Sequence, residues 1–449
     1  MIVDRRLLAL VVAVYVLALS TVYPFSPPDT GNTIYAFQDL PAGAKVGFPW
    51  VGAGYAVVVA RGPETLIVWP DGGSTLVKGL TPIVACASRG TVVVAGVRTG
   101  DSARVIAGIS RDRMEWSYTL KTLGNPVLCS SSNGRVAVVF ENPIASDMLV
   151  VVDTNNNTGL TYRLPRQLFY ASMLYLENNT VLMGGSGWYA VLNQSANGTL
   201  QGVKYSLDTG NLTFRITGAL DVEGRLLLYG KLMSGGITGL KLVGAVYLPS
   251  LSEAVVFPGD KRNTDVRGAA LAGGSVQILV EYSGEKIDTV SIDPEKGSVS
   301  GATKIVFLAP YVFESATRGP GALGVAATLY TGRAVNYTCI LSIRTPAVQV
   351  LGANYSLALA ALQDDGVPSH HNMGVRETPR SVGPLNPRSL RMEENPKFNV
   401  ERGERFHTVA YGPLRDRPIM FCSALSVFTA LVAIPVYAGV SRSRPYKWE

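Results

Sequence analysis

A turn followed by a short apolar strand recurs seven times along this chain, and this repeat restricts the possible folds more than any other feature. Clear copies are Ser88-Arg89-Gly90 and Ser132-Asn133-Gly134, each of which leads into a run rich in Val. The turns end at Gly54, Gly90, Gly134, Asn179, Gly224, Gly274 and Gly321. Successive units are therefore about 36 to 50 residues long, which is the length of one four-stranded propeller blade.

The strands inside the units are continuous apolar runs, such as residues 66–69 and 148–152. A strand with one solvated face alternates apolar and polar residues, whereas a strand covered on both faces does not. The third unit offers four strands separated by turn residues, at 127–131, 135–140, 148–152 and 160–164. We therefore predict an all-β fold over residues 33–360, a seven-bladed β-propeller with four-stranded antiparallel blades.

Ring closure in a propeller needs a strand from each end of the domain. Residues 33–40 and 348–359 are the candidates, because both are apolar and lie just outside the repeats. Their pairing would remove the exposed edges between the first and last blades.

Several of the predicted turns have a familiar form. Asp153 to Gly159, Asp208-Thr209-Gly210 and Asp293 to Gly297 resemble the Asp-to-Gly hairpin turns of quinoprotein-like (PQQ-like) propellers. Residues 206–214 resemble a sialidase Asp-box with one extra residue. In both motifs Asp accepts hydrogen bonds from turn amides and Gly adopts positive φ, so the resemblance implies a fold and no catalytic role. The aromatic residue that ends each quinoprotein repeat is mostly missing here.

Two apolar segments flank the repeats, at residues 7–25 and 419–440. Each is long enough to cross a bilayer as a helix. Arg5 and Arg6 precede the first segment, which places residues 1–6 in the cytoplasm and the repeats outside it. We expect a plasma-membrane protein with a second cytoplasmic tail at 441–449. A cleaved signal peptide at 7–25 is the alternative.

Sequons for N-glycosylation lie only between the two apolar segments, which agrees with export. They occur at Asn156, Asn178, Asn193, Asn197, Asn211, Asn336 and Asn354. Residues 364–418 differ from the repeats, with seven prolines and alternating charges. We interpret them as an irregular stalk between propeller and membrane.

Histidine usage limits the chemistry that the repeats can perform. The three histidines are His370, His371 and His407, all outside the repeats, so a Ser-His-Asp site within the propeller is excluded. Their spacing matches no familiar metal site, and we expect no metal and no cofactor. A glycosidase needs only two carboxylates, and its nominal candidates are Asp101, Glu141, Asp147 and Asp265.

Four cysteines leave room for at most two disulfides. Cys86 and Cys129 lie on the first strands of neighbouring units, four and five residues before the turn glycines, and so on opposite sheet faces. Either a disulfide joins them or both thiols are free. Cys339 falls in a buried strand and Cys422 in the second apolar segment, and packing accounts for both.

Basic residues cluster on loops that a propeller places on the face opposite most of the sequons. We expect this face to bind a partner, and we expect that reversing Arg61, Arg98 and Arg104 together weakens binding without lowering the melting temperature. The matching control reverses Arg89 and Arg111. The predicted binding residues are Arg61, Arg98, Arg104, Lys121, Arg163, Arg166 and Arg333, with Lys261, Arg262 and Arg267 on the same face.

The sequence supports three functional hypotheses. The first is a non-catalytic scaffold that holds a protein or glycan partner outside the cytoplasm, beside the lipid bilayer. The second is a propeller glycoside hydrolase or lyase, and the third is an accessory subunit of a membrane complex. Aromatic and basic residues do not interleave as in nucleic-acid platforms, so we expect no nucleic-acid partner.

Overall fold

The fold was derived from a computed structural model of the chain. The model describes residues 33–38, 40, 44–52, 54–120, 122–156, 158–208, 212–236, 239–251, 253–257, 263–272, 274–283, 286–307, 311–330, 336–344, 355–359, 373–380, 388–389, 391–394, 398–407 and 409–410.

Seven four-stranded antiparallel blades follow one another along the chain, as the repeat predicted. We letter the strands of each blade A to D, from the innermost outwards. Blades 1 to 3 comprise Lys45–Gly47, Val57–Arg61, Glu64–Val68 and Ser74–Lys78; then Leu80–Ser88, Thr91–Arg98, Arg104–Ile109 and Met114–Leu120; then Asn125–Ser132, Arg135–Glu141, Met148–Asp153 and Thr158–Arg163.

The remaining blades have the same order. Blades 4 to 7 comprise Met173–Glu177, Thr180–Gly185, Trp188–Gln194 and Leu200–Asp208; then Thr213–Val222, Arg225–Gly236, Gly239–Leu248 and Glu253–Phe257; then Thr264–Ala272, Ser275–Tyr282, Lys286–Asp293 and Ser298–Phe307; then Tyr311–Gly319, Ala322–Tyr330, Asn336–Ile343 and Thr33–Gln38. A short hairpin of Trp50–Val51 and Gly54–Tyr55 precedes strand B of blade 1, and a 3-10 turn at Arg166–Leu168 joins blades 3 and 4.

The core is divided into seven apolar clusters, one at each interface between neighbouring blades. Strand B of blade 2 shows why the apolar runs are continuous. Its Val92 and Val94 pack towards blade 1, whereas Val93 and Ala95 pack towards blade 3. Both faces of each blade are therefore buried, so a middle strand can be apolar at successive positions instead of alternating.

The turns between strands A and B explain the recurring glycines. In blade 5, Glu223 has φ of 53° and Gly224 has φ of 81°. A two-residue hairpin turn with positive φ at both positions matches the twist of its strands, and glycine adopts it without steric cost. Strand D of blade 4 ends at Asp208 and blade 5 begins at Thr213. The turn near Asp208 therefore connects two blades.

The ring is closed by one of the two predicted end segments. Thr33–Gln38 pairs antiparallel with Asn336–Ile343 and becomes strand D of blade 7, with Thr33 opposite Ser342. The predicted partner 348–359 is wrong, since Tyr355–Leu359 pairs instead with Met373–Arg380. Strand C of blade 7, Asn336–Ile343, has an edge that neither strand A nor strand B of that blade covers. The N-terminal strand pairs with this edge rather than with residues 348–359.

Residues 364–418 are not an irregular stalk where the structure describes them. They form an outer belt of five strands, each of which pairs with the outermost strand of one or two blades. Met373–Arg380 pairs with blade 6, Arg388–Ser389 with blade 5, Arg391–Glu394 with blade 4, Phe398–His407 with blades 4 and 3, and Val409–Ala410 with blade 2. Strand D of each of these blades has an open edge, and its backbone groups form hydrogen bonds with the backbone of a polar segment.

Both predicted membrane spans, 7–25 and 419–440, lie outside the described residues, as do the tails 1–6 and 441–449. Among the residues that are described, no helix has the length and apolar character needed to span a membrane.

Candidate functional site

The innermost strands of the seven blades surround a central channel that contains a cavity of about 380 Å³. Residues from strand A of every blade line it, and Tyr229 of blade 5 adds a strand-B side chain. In blades 2, 3 and 7 the lining residues are the last ones before the A–B turn. The cavity therefore lies in the half of the channel nearer the A–B turns.

Arg318 is the one charged side chain among the described residues that line this cavity. It projects from blade 7, and its Nη1 donates a hydrogen bond to the Tyr175 hydroxyl of blade 4 at 3.2 Å. Its guanidinium carbon lies 4.9 Å from the centre of the Tyr175 ring, within cation–π range. The side chain thus spans the channel between two blades that are not neighbours.

Two phenols flank the guanidinium as hydrogen-bond donors. The Tyr175 hydroxyl donates to Glu177 Oε2 at 3.0 Å. Burial raises the pKa of Tyr175 and also that of Tyr229, so both phenols keep their protons at neutral pH. The Tyr229 ring lies against Gly218, where a Cβ would come within 2.0 Å of the ring, so only glycine fits at that position.

Trp50 supplies an aromatic wall to the same cavity. Its ring meets Tyr55 edge to face with centres 4.8 Å apart, and its Nε1 donates to the Gly52 carbonyl at 3.0 Å. The Arg344 guanidinium lies 5.5 Å from the centre of the Trp50 ring. These contacts hold the indole in one orientation, and a rigid indole is a good stacking surface for a planar ligand.

A disulfide between Cys86 and Cys129 also lines the cavity, with Cα atoms 5.8 Å apart. The two side chains point to opposite faces of their own sheets. Because neighbouring blades present opposite faces to their shared interface, this arrangement brings the sulfurs together between blades 2 and 3. The bond fixes two of the strands that form the cavity.

The other half of the channel holds paired charges. Lys45 Nζ lies 2.8 Å from Glu314 Oε1 and also contacts the Thr328 hydroxyl. The Asp265 carboxylate contacts Lys231 Nζ at 2.7 Å and Arg267 Nη1 at 3.3 Å. Arg267 also pairs with Glu281. The acids at this end are therefore already held by cations.

Those predicted binding arginines that the structure describes lie on B–C loops, D–A loops or the strand ends beside them, and hence on the side of the ring away from the cavity. Arg61, Arg163 and Arg166 are exposed, and the exposed Arg267 is paired as described. Lys121, Arg333, Lys261 and Arg262 lie outside the described residues. The control residues Arg89 and Arg111 occupy an A–B turn and a C–D turn on the opposite face.

Two of the three arginines chosen for charge reversal have internal roles. Arg98 forms a bidentate pair with Asp101. Arg104 donates to the carbonyls of Ser102 at 2.7 Å, Gly124 at 2.8 Å and Leu123 at 3.3 Å. Arg104 therefore ties two loops together, and these bonds argue against the expectation that the melting temperature is unaffected by its reversal.

The four nominal carboxylates do not meet at one point. Hydrogen bonds from Arg98 and from the Ala103 amide lower the pKa of Asp101 to about 2. Asp147 is buried and accepts from the Asn142 amide at 3.0 Å, which shapes its own loop. Asp265 is ion-paired as described, and Glu141 ends strand B of blade 3. Each is explained by local structure.

Four sequon asparagines are exposed on or beside the A–B and C–D turns of blades 3 and 4. Their amides are engaged locally: Asn156 donates to Asp153 at 2.8 Å, and Asn178, Asn193 and Asn197 accept from Asn133, Thr180 and Thr199. Asn211 and Asn354 lie outside the described residues, and only the backbone of Asn336 is described.

Within the described part of the chain, no three His, Cys, Asp or Glu side chains are grouped closely enough to hold a metal ion. His370 and His371 lie outside the described residues, and His407 belongs to the outer belt.

Sequence reasoning missed Arg318, Tyr175 and Trp50. Their shared signal is position, because each lies within a few residues of an A–B turn and so near the channel. That signal could have been used once the blades were numbered, whereas the contact between blades 7 and 4 needs the closed ring.

Comparisons with known proteins add little to this picture. No protein-family model matches the chain, and no curated protein matches it. A streptogramin B lyase structure aligns with 15% identity over 69% of this chain and 98% of that one, with a TM-score of 0.42. The tricorn protease aligns with 9% identity over 68% of this chain and 43% of that one, with a TM-score of 0.29. Both TM-scores are below 0.5, so neither likeness bears on function, and the propeller fold rests on the strand pairing itself.

Proposed function

We propose that this protein is a membrane-anchored, extracytoplasmic β-propeller that binds a ligand or partner through its central channel without transforming it. The observation that carries the proposal is the make-up of the cavity, where one guanidinium, two protonated phenols, an indole and several small side chains face about 380 Å³ of space. Such a lining supplies shape and hydrogen bonds, as binding pockets do.

The charges at the other end of the channel support binding over acid–base chemistry. A glycosidase needs one carboxyl group as an acid and a second as a base or nucleophile. Asp265, Glu281 and Glu314 are instead held by Lys231, Arg267 and Lys45. Each of these carboxylates is thus already occupied by a cation, so none is free to contact a glycosidic bond.

Three features support a position outside the cytoplasm. Disulfides such as Cys86–Cys129 persist mainly in oxidising compartments. The described sequon asparagines with resolved side chains are all exposed. The apolar segments 7–25 and 419–440, with Arg5 and Arg6 before the first, are those of a chain anchored at both ends.

Protease shaving of intact cells tests the cellular placement. With an epitope tag on each end, added protease should degrade the propeller and leave both tagged tails protected. A propeller that survives in intact cells but is degraded after permeabilisation would overturn the placement.

A panel of nitrophenyl glycosides tests the absence of catalysis. We expect no release of nitrophenol by the purified protein. Release that disappears in Asp265→Asn or Glu281→Gln, with the fold unchanged by circular dichroism, would replace the binding role with a hydrolase.

A further inference from the structure

Arg318 makes no direct ion pair within the described part of the channel, and the Glu177 carboxylate is linked to it only through the Tyr175 hydroxyl. No carboxylate of the described residues lies within 4.0 Å of its guanidinium, although Arg98, Arg111, Arg113, Arg225 and Arg267 all have one. A guanidinium carries five N–H donors, and only the bond to Tyr175 is recorded for Arg318. Arg318 itself lines the cavity, so its other N–H groups are available to a ligand there.

The position of this side chain is fixed. The Tyr175 ring stacks against the guanidinium, and the Tyr175 hydroxyl is itself held by Glu177. Preorganised donors bind an anion without a further ordering cost. A planar fork of this kind matches the two oxygens of a carboxylate or phosphate.

The rest of the lining is uncharged, and its accessible surface is mostly polar, with the hydroxyl residues Ser130, Ser315 and Thr317 among the lining residues beside the Trp50 indole. The volume of about 380 Å³ lies near the lower end of the range for small-molecule pockets. A ligand that fits has one acidic group and a compact body that can meet both the Trp50 indole and the hydroxyl groups.

We propose that the channel cavity is a binding site for a small organic anion, a carboxylate or phosphomonoester with a compact body, whose acidic group pairs with Arg318. This inference deepens the proposed function and rests on it for the binding role. The Tyr229 hydroxyl adds a neutral hydrogen-bonding group beside the guanidinium, whereas the Tyr175 proton is already donated to Glu177. Trp50 stacks on the body of the ligand.

The test is ¹⁹F NMR on the detergent-solubilised full chain with three probes: 4-fluorophenylacetate, 4-fluorophenyl phosphate and the neutral 4-fluorophenylacetamide. We expect line broadening for at least one anion, reversed by added salt, and none for the amide. The anion that binds more tightly identifies the acidic group. Equal broadening by the amide would overturn the proposal.

Arg318→Met tests the residue, because it keeps the length and apolar stem of the side chain and removes the charge. We expect about a 10- to 100-fold loss of anion affinity. Arg113→Met is the matched control, since Arg113 lies at a C–D turn of blade 2 on the same side of the ring, outside the cavity lining and paired with Glu115 at 2.8 Å. The control should bind as the unmodified chain does, and equal affinity in Arg318→Met would contradict the proposal.

Arg318→Lys keeps the test decisive if Arg318→Met does not fold. Lysine retains the charge but lacks the planar fork, so we expect weaker binding that still depends on salt. If protease shaving places the propeller outside and neither anion binds the unmodified chain, the anion site fails and the proposed function stands. If an anion binds but the propeller is protected in cells, the site stands and the placement fails.

Discussion

Single residues in this propeller mostly serve the loops on which they lie. Arg104 is the clearest example, since its three hydrogen bonds end on backbone carbonyls of two different loops. From the sequence it was one of several basic loop residues with equal claims to bind a partner. A hydrogen bond to a backbone carbonyl cannot be predicted from the identity of the accepting residue. Only the structure therefore shows that Arg104 has such bonds and that Arg61 has none to the described residues.

Arg104→Met should destabilise the fold. The change removes three hydrogen bonds, but water replaces the two exposed ones and only the half-buried Gly124 carbonyl loses its partner, so we expect a loss of about 0.5–1.5 kcal/mol in unfolding free energy. Urea denaturation measures it. Arg61→Met is the matched control at the equivalent loop of blade 1, exposed and without a recorded partner among the described residues, and it should change stability little. Equal effects of the two variants would show that the bonds of Arg104 do not persist in solution.

Asp101 should titrate at about pH 2 because of its pairing with Arg98. A pKa depressed from 3.8 means that the contribution of this carboxylate to stability is present above pH 3.8 and is lost as the pH falls towards 2. Carboxyl ¹³C NMR measures the pKa directly. In Arg98→Met we expect it to move back towards 3.8, while Arg61→Met should leave it in place. A titration near 3.8 in the unmodified chain would contradict the pairing.

At the scale of elements, the blades were predictable from sequence and the outer belt was not. Blade strands bury both faces, so apolar runs and turn glycines in the sequence predict them, as at 148–152 and Gly134. The belt makes backbone pairs along an exposed edge, as between Phe398–His407 and the outer strands of blades 3 and 4. Backbone pairing imposes no apolar pattern, so prolines and charges suggested a stalk.

Proline substitutions test whether the belt is held by its backbone. Arg405 and Phe406 pair with Leu160 and Gly159 of blade 3. Arg405→Pro with Phe406→Pro removes two successive amide donors, one of which faces blade 3 whichever way the strand alternates. We expect faster amide hydrogen exchange at the facing edge of Thr158–Arg163, by about tenfold or more. The matched control is the alanine pair at the same positions, which keeps the donors and should exchange as the unmodified chain does. If the alanine pair exchanges as fast, the side chains hold the belt.

At the scale of the whole molecule, closure is shared between an apolar cluster and a strand. Phe37 of the N-terminal strand is buried between blades 7 and 1 with Tyr55, Val57 and Ile340. The sequence identified this strand, although it assigned the wrong partner, because several apolar segments near the end of the repeats were equivalent as sequences. The last three strands of the repeats form strands A to C of blade 7, so its strand C is the one that pairs with the N-terminal strand.

Phe37→Ala should destabilise the entire ring. The loss of a buried aromatic ring costs about 3–5 kcal/mol, because a cavity remains. If the ring unfolds as one unit, Trp116 of blade 2 and Trp188 of blade 4 should report the same lowered midpoint in denaturant as blade 7 itself. Leu123→Ala, at a side chain that is 71% exposed, is the matched control. Separate transitions for the different blades would show that closure is a local event.

The pairing of Thr33 with Ser342 also sets an order in time. A ribosome delivers the N-terminal strand first, yet the edge that this strand must join is among the last parts of the propeller to be made. During that interval the strand and the faces of blade 1 that it covers stay open to other chains, and long-range β pairing is slow even once its partners exist. The outer belt is synthesised later still, so its strands can pair only with blades that have already folded. A nascent chain halted before blade 7 would thus contain several folded blades but no closed ring. Whether it aggregates would depend on whether another molecule covers the unpaired N-terminal strand.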